Sequence, residues 1–193
     1  MDRAELLEWL GRYQDRHPAE VSTLERIRNL LNDRDRAFHR DCLPGHVTAS
    51  AWIVSRERGA ILLTHHRKLE RWLQLGGHAD GESDVLAAAI REAEEESGLR
   101  GFEALPKDGP IEILDVDVHE IPAHGTEPAH EHHDIRFLLE VSEAQAIERQ
   151  AVESKEVRWF EAEEIELRFK EESLIRMARK AAAWLARDPR GPG

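Results

Sequence analysis

The loop Gly76-Gly77-His78-Ala79-Asp80-Gly81-Glu82-Ser83-Asp84 runs into Val85-Leu86-Ala87-Ala88-Ala89-Ile90-Arg91-Glu92-Ala93-Glu94-Glu95-Glu96-Ser97-Gly98-Leu99, and this stretch decides the fold. Ser83 can cap a helix that runs to Ser97 and stops at Gly98, with Leu86, Ala89, Ile90 and Ala93 as its apolar stripe. Glu92, Glu95 and Glu96 stand at i, i+3 and i+4, so they occupy neighbouring positions of one helical face. Carboxylates gathered this closely repel one another unless a cation lies between them. Hard divalent ions such as magnesium (Mg2+) and manganese (Mn2+) take oxygen ligands and also engage phosphates. A solvated acidic face is the ordinary explanation of a glutamate run. The preceding double glycine, Arg91 beside the first glutamate and the terminating Gly98 favour a metal platform instead.

Upstream, Leu6, Leu7, Trp9 and Leu10 predict a helix over residues 3 to 14. Val21, Leu24, Ile27, Leu30 and Leu31 predict a second, from Pro18 to about Phe38. Residues 1–44 thus read as a helical N-terminal extension that covers the cleft, mediates a homodimer contact or completes the core. Leu43-Pro44-Gly45 breaks the pattern, and Val47 to Val54 and Ala60 to Leu63 read as strands around a turn at Glu57-Arg58-Gly59. Downstream, strands are predicted near Ile111 to His119, Asp134 to Val141 and Glu156 to Phe160, with an amphipathic helix from Ser173 to Leu185. This order predicts an α/β sandwich with a mixed sheet over residues 45–187 and a flexible tail over 188–193.

With 193 residues, the chain suits one core domain and an appendage. A formal charge of −12 argues against duplex nucleic acid as a partner, because such binding neutralises many phosphates with Lys and Arg. No stretch approaches a membrane span and no export signal is visible, so no membrane is expected. The sole cysteine, Cys42, excludes an intramolecular disulfide and a cysteine zinc cluster, and a cytoplasmic setting is expected.

Gly77 and the run Arg91-Glu92-Ala93-Glu94-Glu95-Glu96-Ser97-Gly98-Leu99 resemble the Nudix hydrolase family. Its signature reads Gly, five residues, Glu, seven residues, then Arg-Glu-apolar-any-Glu-Glu-any-Gly-apolar. The departure is at the first Glu, where this chain has Ser83; Glu82, one position earlier, reads as the substitute. The resemblance implies a Nudix-like α/β/α sandwich and hydrolysis of a diphosphate linkage in a nucleoside diphosphate joined to another moiety. It also implies that Glu95, Glu96 and the carbonyl of Gly76 ligate magnesium. Glu92 is then a further ligand or the base that activates water, and Arg91 orients the carboxylates. Some relatives add an acidic residue from a late loop ahead of a Trp; Glu153 fits that place, with Glu156 as the alternative. An isopentenyl diphosphate isomerase reading needs a cysteine in the glycine loop, and none stands there. A non-catalytic, ligand-sensing or partner-binding Nudix-like domain is the second reading.

For the substrate, the candidates are Arg67, within His65-His66-Arg67-Lys68, as a phosphate contact and Trp72 as a pocket wall. Trp52, Trp159 and Phe137 read as core or cleft walls. Alternation places Asp115, Asp117 and His119 on one strand face and His130, His132, Asp134 and Arg136 on one face of the partner. If these faces coincide, they form a patch in which His132 and Arg136 read the substrate or an extra metal is held.

Overall fold

The computed structural model describes residues 2–107, 109–148 and 154–188. Its centre is β1 (Gly45–Ser55), buried along its whole length because both of its faces are covered. On one side β1 runs parallel to β7 (His130–Val141), from Gly45 beside Glu131 to Ser55 beside Val141. On the other it pairs antiparallel with β2 (Ala60–His66) and with β4 (Leu75–His78). The remaining strands, β3 (Arg71–Leu73), β5 (Glu103–Ala104), β6 (Ile113–Ile121) and β8 (Ser154–Glu161), join antiparallel to β2, β7, β7 and β2 in turn. One mixed sheet results.

Alternation along β1 divides the core. Val47, Ala49, Ala51 and Ile53 face a layer of α1 (Arg3–Arg16), α2 (Val21–Asp33) and α3 (Val85–Ser97), while Trp52 and Val54 face α4 (Ile165–Arg168) and α5 (Glu172–Leu185). The architecture is the predicted α/β/α sandwich preceded by helices. Leu6, Leu10, Tyr13, Leu24, Ile27 and Leu31 are fully buried in the same cluster as Ala88, Ala89 and Ala93 of α3, so the N-terminal helices complete the core. Lys180 of α5 bonds to the Tyr13 hydroxyl and to Glu20 and Asp115, tying the two helical layers together at β6.

The end of α2 and the cap of α3 differ from expectation. α2 ends at Asp33, with Arg34 extended, instead of reaching Phe38. Ala37 and Phe38 imitate a continuing stripe because turns return them to the same core, where the Ala37 carbonyl accepts from Val47 N at 2.7 Å. The cap of α3 is Asp84, whose carboxylate accepts from Ala87 N at 3.0 Å; Ser83 lies one residue outside the helix. Asp84→Ala is expected to cost about 1 kcal/mol, read as a lower midpoint in urea unfolding. At the other end Gly98 adopts φ 74°, and a β-carbon there would also meet the backbone of Glu148.

Candidate active site

β4 lies under α3 with its glycines turned toward the helix's acidic face. A β-carbon on Gly77 would run into the Glu92 carboxylate, so any side chain there must displace that carboxylate from its place. Gly76, at φ 152°, donates its N–H to Glu96 Oε1 at 2.9 Å. Ser154 Oγ donates to Glu96 Oε2 at 3.5 Å and lies 2.7 Å from Thr64 Oγ1. Arg91 Nη1 is 2.6 Å from Glu92 Oε1 and 3.6 Å from Glu95 Oε1, while Nη2 donates to the His78 carbonyl at 2.8 Å.

Glu92 and Glu96 are buried and Glu95 is exposed. Burial would lower the Arg91 pKa, but Glu92 and Glu95 more than offset it and hold the guanidinium charged. One fixed cation therefore faces three carboxylates, an excess of negative charge at a rim open to solvent through Glu95. These all-oxygen donors suit a hard divalent ion. The structure thus brings together Gly76, Arg91, Glu92, Glu95 and Glu96.

Other expected site residues fall elsewhere. Glu82 is exposed and accepts the N–H of Asp84 at 2.8 Å, an anchor for the loop entering α3. Glu153 lies outside the described residues, and Glu156 is exposed on β8 with Arg158 at 3.6 Å. Arg67 occupies the exposed turn between β2 and β3. Trp72 packs on the α5 side of the sheet, 4.8 Å from Phe160 between ring centroids and beneath the Arg158 guanidinium, so it does not face the carboxylates.

His132 and Arg136 also lie on the α5 side, because the two polar strand faces coincide: Asp115 pairs with Arg136, Asp117 with Asp134 and His119 with His132. That face is not an open patch. Arg136 is 2% exposed and donates from Nε to Asp134, from Nη1 to Asp115 and Ser173, and from Nη2 to Asp117. Arg176 and Lys180 of α5 close over Asp115 from above. Arg136 is thus a buried crosslink between strands and helix rather than a group presented to substrate.

Sequence reasoning missed Ser154, His46 and His78. The β2/β8 register that brings Ser154 beside Glu96 has no local signature. The β1/β4 and β1/β7 registers that bring His78 and His46 toward His130 and His132 have none either.

Residues 44–184 match the family model described as the NUDIX domain. No curated protein matches the chain. Among solved structures, a NUDIX-family hydrolase from Clostridium perfringens is 23% identical, with TM-score 0.57 over 72% of this chain and 97% of that one. An Ap4A hydrolase of C. elegans is 20% identical, with TM-score 0.54 over 72% and 97%. The NUDIX domain of Shewanella oneidensis NrtR, complexed with ADP ribose, is 14% identical, with TM-score 0.51 over 81% and 96%. With a family model spanning most of its length and the glutamates of α3 gathered on the glycines of β4, the chain belongs to the NUDIX domain family, whose hydrolases act on phosphoanhydride bonds.

Proposed function

We infer that the chain is a pyrophosphohydrolase that cleaves the diphosphate linkage of a nucleoside diphosphate joined to another moiety, with Mg2+ or Mn2+ as cofactor. The observation that carries this reading is the set Glu92, Glu95 and Glu96 on one face of α3, with Arg91 bridging Glu92 and Glu95 and the Gly76 N–H holding Glu96. Glu95 and Glu96, with the Gly76 carbonyl, would hold the metal, and Glu92 adds a ligand or takes a proton from water. The bound ion would neutralise phosphate oxygens and lower the pKa of water. Arg91 fixes the direction of the Glu92 carboxylate. Arg67 in its exposed turn supplies a phosphate contact, and Glu153 a further acidic ligand.

The substrate class is supported by neighbours whose names specify Ap4A, dihydroneopterin triphosphate and ADP ribose, each built on linked phosphates. Cys42 as the sole cysteine and the acidic balance suit a cytoplasmic setting. No helix of the described residues is long and apolar enough to cross a membrane.

The test is a magnesium-supplemented phosphate-release screen over ADP-ribose, NADH, diadenosine polyphosphates, coenzyme A, CDP-alcohols and nucleoside triphosphates. At least one should be hydrolysed, and Glu95→Gln should lower that turnover about 100-fold. Activity unaffected by Glu95→Gln would sink the assignment. Binding without turnover across the panel would favour the non-catalytic reading.

A further inference from the structure

On the opposite side of β4 from the glutamates, four histidines from three strands converge. His46 of β1 is the Cα partner of His132 on β7, His130 lies two residues before it, and His78 ends β4 beside Thr48. The His46 ring lies 5.0 Å from His130, 4.9 Å from His132 and 5.1 Å from His78, between centroids, and His78 is 5.1 Å from His132. One ring nitrogen from each of His46, His130 and His132 lies within 4.8 Å of the other two.

The polar groups make this more than an aromatic stack. His46 is fully buried; the Cys42 backbone bears on its ring, and neither ring nitrogen makes a well-formed hydrogen bond among the described residues. Leaving a buried donor or acceptor unsatisfied costs about 1–3 kcal/mol. His130 Nδ1 is 2.9 Å from the Pro128 carbonyl, which can only accept, so that nitrogen carries the proton and Nε2 turns a lone pair into the cluster. Such an outer contact is the usual way a protein sets the tautomer of a metal-binding histidine. His130 Nε2 and His132 Nε2 stand 3.3 Å apart. Two nitrogens bound to tetrahedral zinc at about 2.0–2.1 Å would be separated by about 3.3–3.4 Å.

We propose that His46, His130 and His132, with His78 as the fourth ligand, form a binding site for a divalent transition ion of the zinc class, separate from the carboxylate site of α3. Imidazole nitrogens select zinc, cobalt or nickel over magnesium, which keeps to oxygen. Compensating negative charge lies close by at Glu127, whose Oε1 is 3.9 Å from His130 Nε2. The two sites stand back to back across β4. His78 gives its ring to the imidazole cluster while its carbonyl accepts from Arg91.

The full-length protein, stripped with a chelator and dialysed, is titrated with Zn2+ by calorimetry and with Co2+ by visible absorption. One zinc should bind per chain, and Co2+ should give the intense visible bands of tetrahedral nitrogen ligation. Both signals should persist in the Glu95→Gln/Glu96→Gln variant. His132→Asn and His130→Gln, made separately, should each weaken zinc at least about 100-fold, beyond the 10–100-fold that loss of an outer-shell partner costs. Circular dichroism and metal-free melting check that each variant folds; should one fail, the other and the wild-type cobalt spectrum decide. No zinc binding, binding unchanged in a folded histidine variant, or zinc lost only with the glutamates would each overturn the proposal.

Discussion

Replacing Arg136 by methionine is expected to cost about 3–5 kcal/mol of unfolding free energy at neutral pH, read as a lower urea midpoint. The guanidinium is fully buried and answers Asp115, Asp117 and Asp134 at once. Methionine restores much of the volume but leaves three carboxylates with fewer counter-charges. Arg176 and Lys180 still hold Asp115, and Thr48 and Ser50 still hold Asp134, which limits the loss.

The deficit should also shrink with acid. Burial would raise the pKa of Asp115 and Asp117; the hydrogen bond from Arg176 to Asp115 and the close approach of His119 Nδ1 to Asp117 at 3.3 Å, together with the charge of Arg136, outweigh it and hold both below the usual carboxylate range. A carboxylate depressed in the folded state contributes stability that is complete above its unfolded pKa of about 3.9 and is lost as pH falls toward the folded value. Wild type therefore loses this contribution below about pH 4. The variant, with its aspartates less depressed, has less to lose there. A gap between the two proteins as wide at pH 3 as at pH 7 would count against this account.

This network also shows where the sequence is legible. Strand alternation correctly gathers Asp115, Asp117, Asp134 and Arg136 on one surface, because side-chain period is a local property. It does not reveal that α5 covers that surface, although Arg176 and Lys180 on the predicted helix carry the complementary charges. Similarly, α3 announces itself by period and by Gly98, whereas β3 and β4 do not. Arg71–Leu73 and Leu75–His78 lack apolar alternation and become strands only through pairing with β2 and β1. The histidines at the start of β7 precede the run Asp134 to Val141 read as strand, and partners on both sides extend the strand to His130. Of the site, spacing places the glutamates on one helical face, and the double glycine, Arg91, Gly98 and the family resemblance point from there to a metal; Ser154, His46 and His78 require the register.

Gly77→Val is expected to lower magnesium-dependent turnover by about 1,000-fold. The new side chain occupies the place of the Glu92 carboxylate and therefore displaces its partner Arg91 as well. The loss should appear in kcat at saturating magnesium. Gly59→Ala is the matched control, since a β-carbon at Gly59 meets nothing within 4 Å; its turnover should equal wild type. A Gly77→Val enzyme within tenfold of wild type would mean that the Glu92 position is immaterial to the chemistry.

The strand Leu75–His78 cannot tolerate a change of length. Inserting one residue before Gly76 would exchange its faces, driving the His78 ring into the glutamates of α3 and withdrawing it from His46 and His132. A one-residue insertion in the exposed segment from Asp80 to Glu82 leaves the faces of β4 as they are, at the cost of shifting the Arg40–Asp80 ion pair and the bond from Gly81 N–H to the Phe38 carbonyl. That asymmetry accounts for where this chain departs from the family spacing: Gly77 and the run from Arg91 keep their places, and the irregularity is confined to Glu82 and Ser83, the part of the motif that answers to one neighbour instead of two.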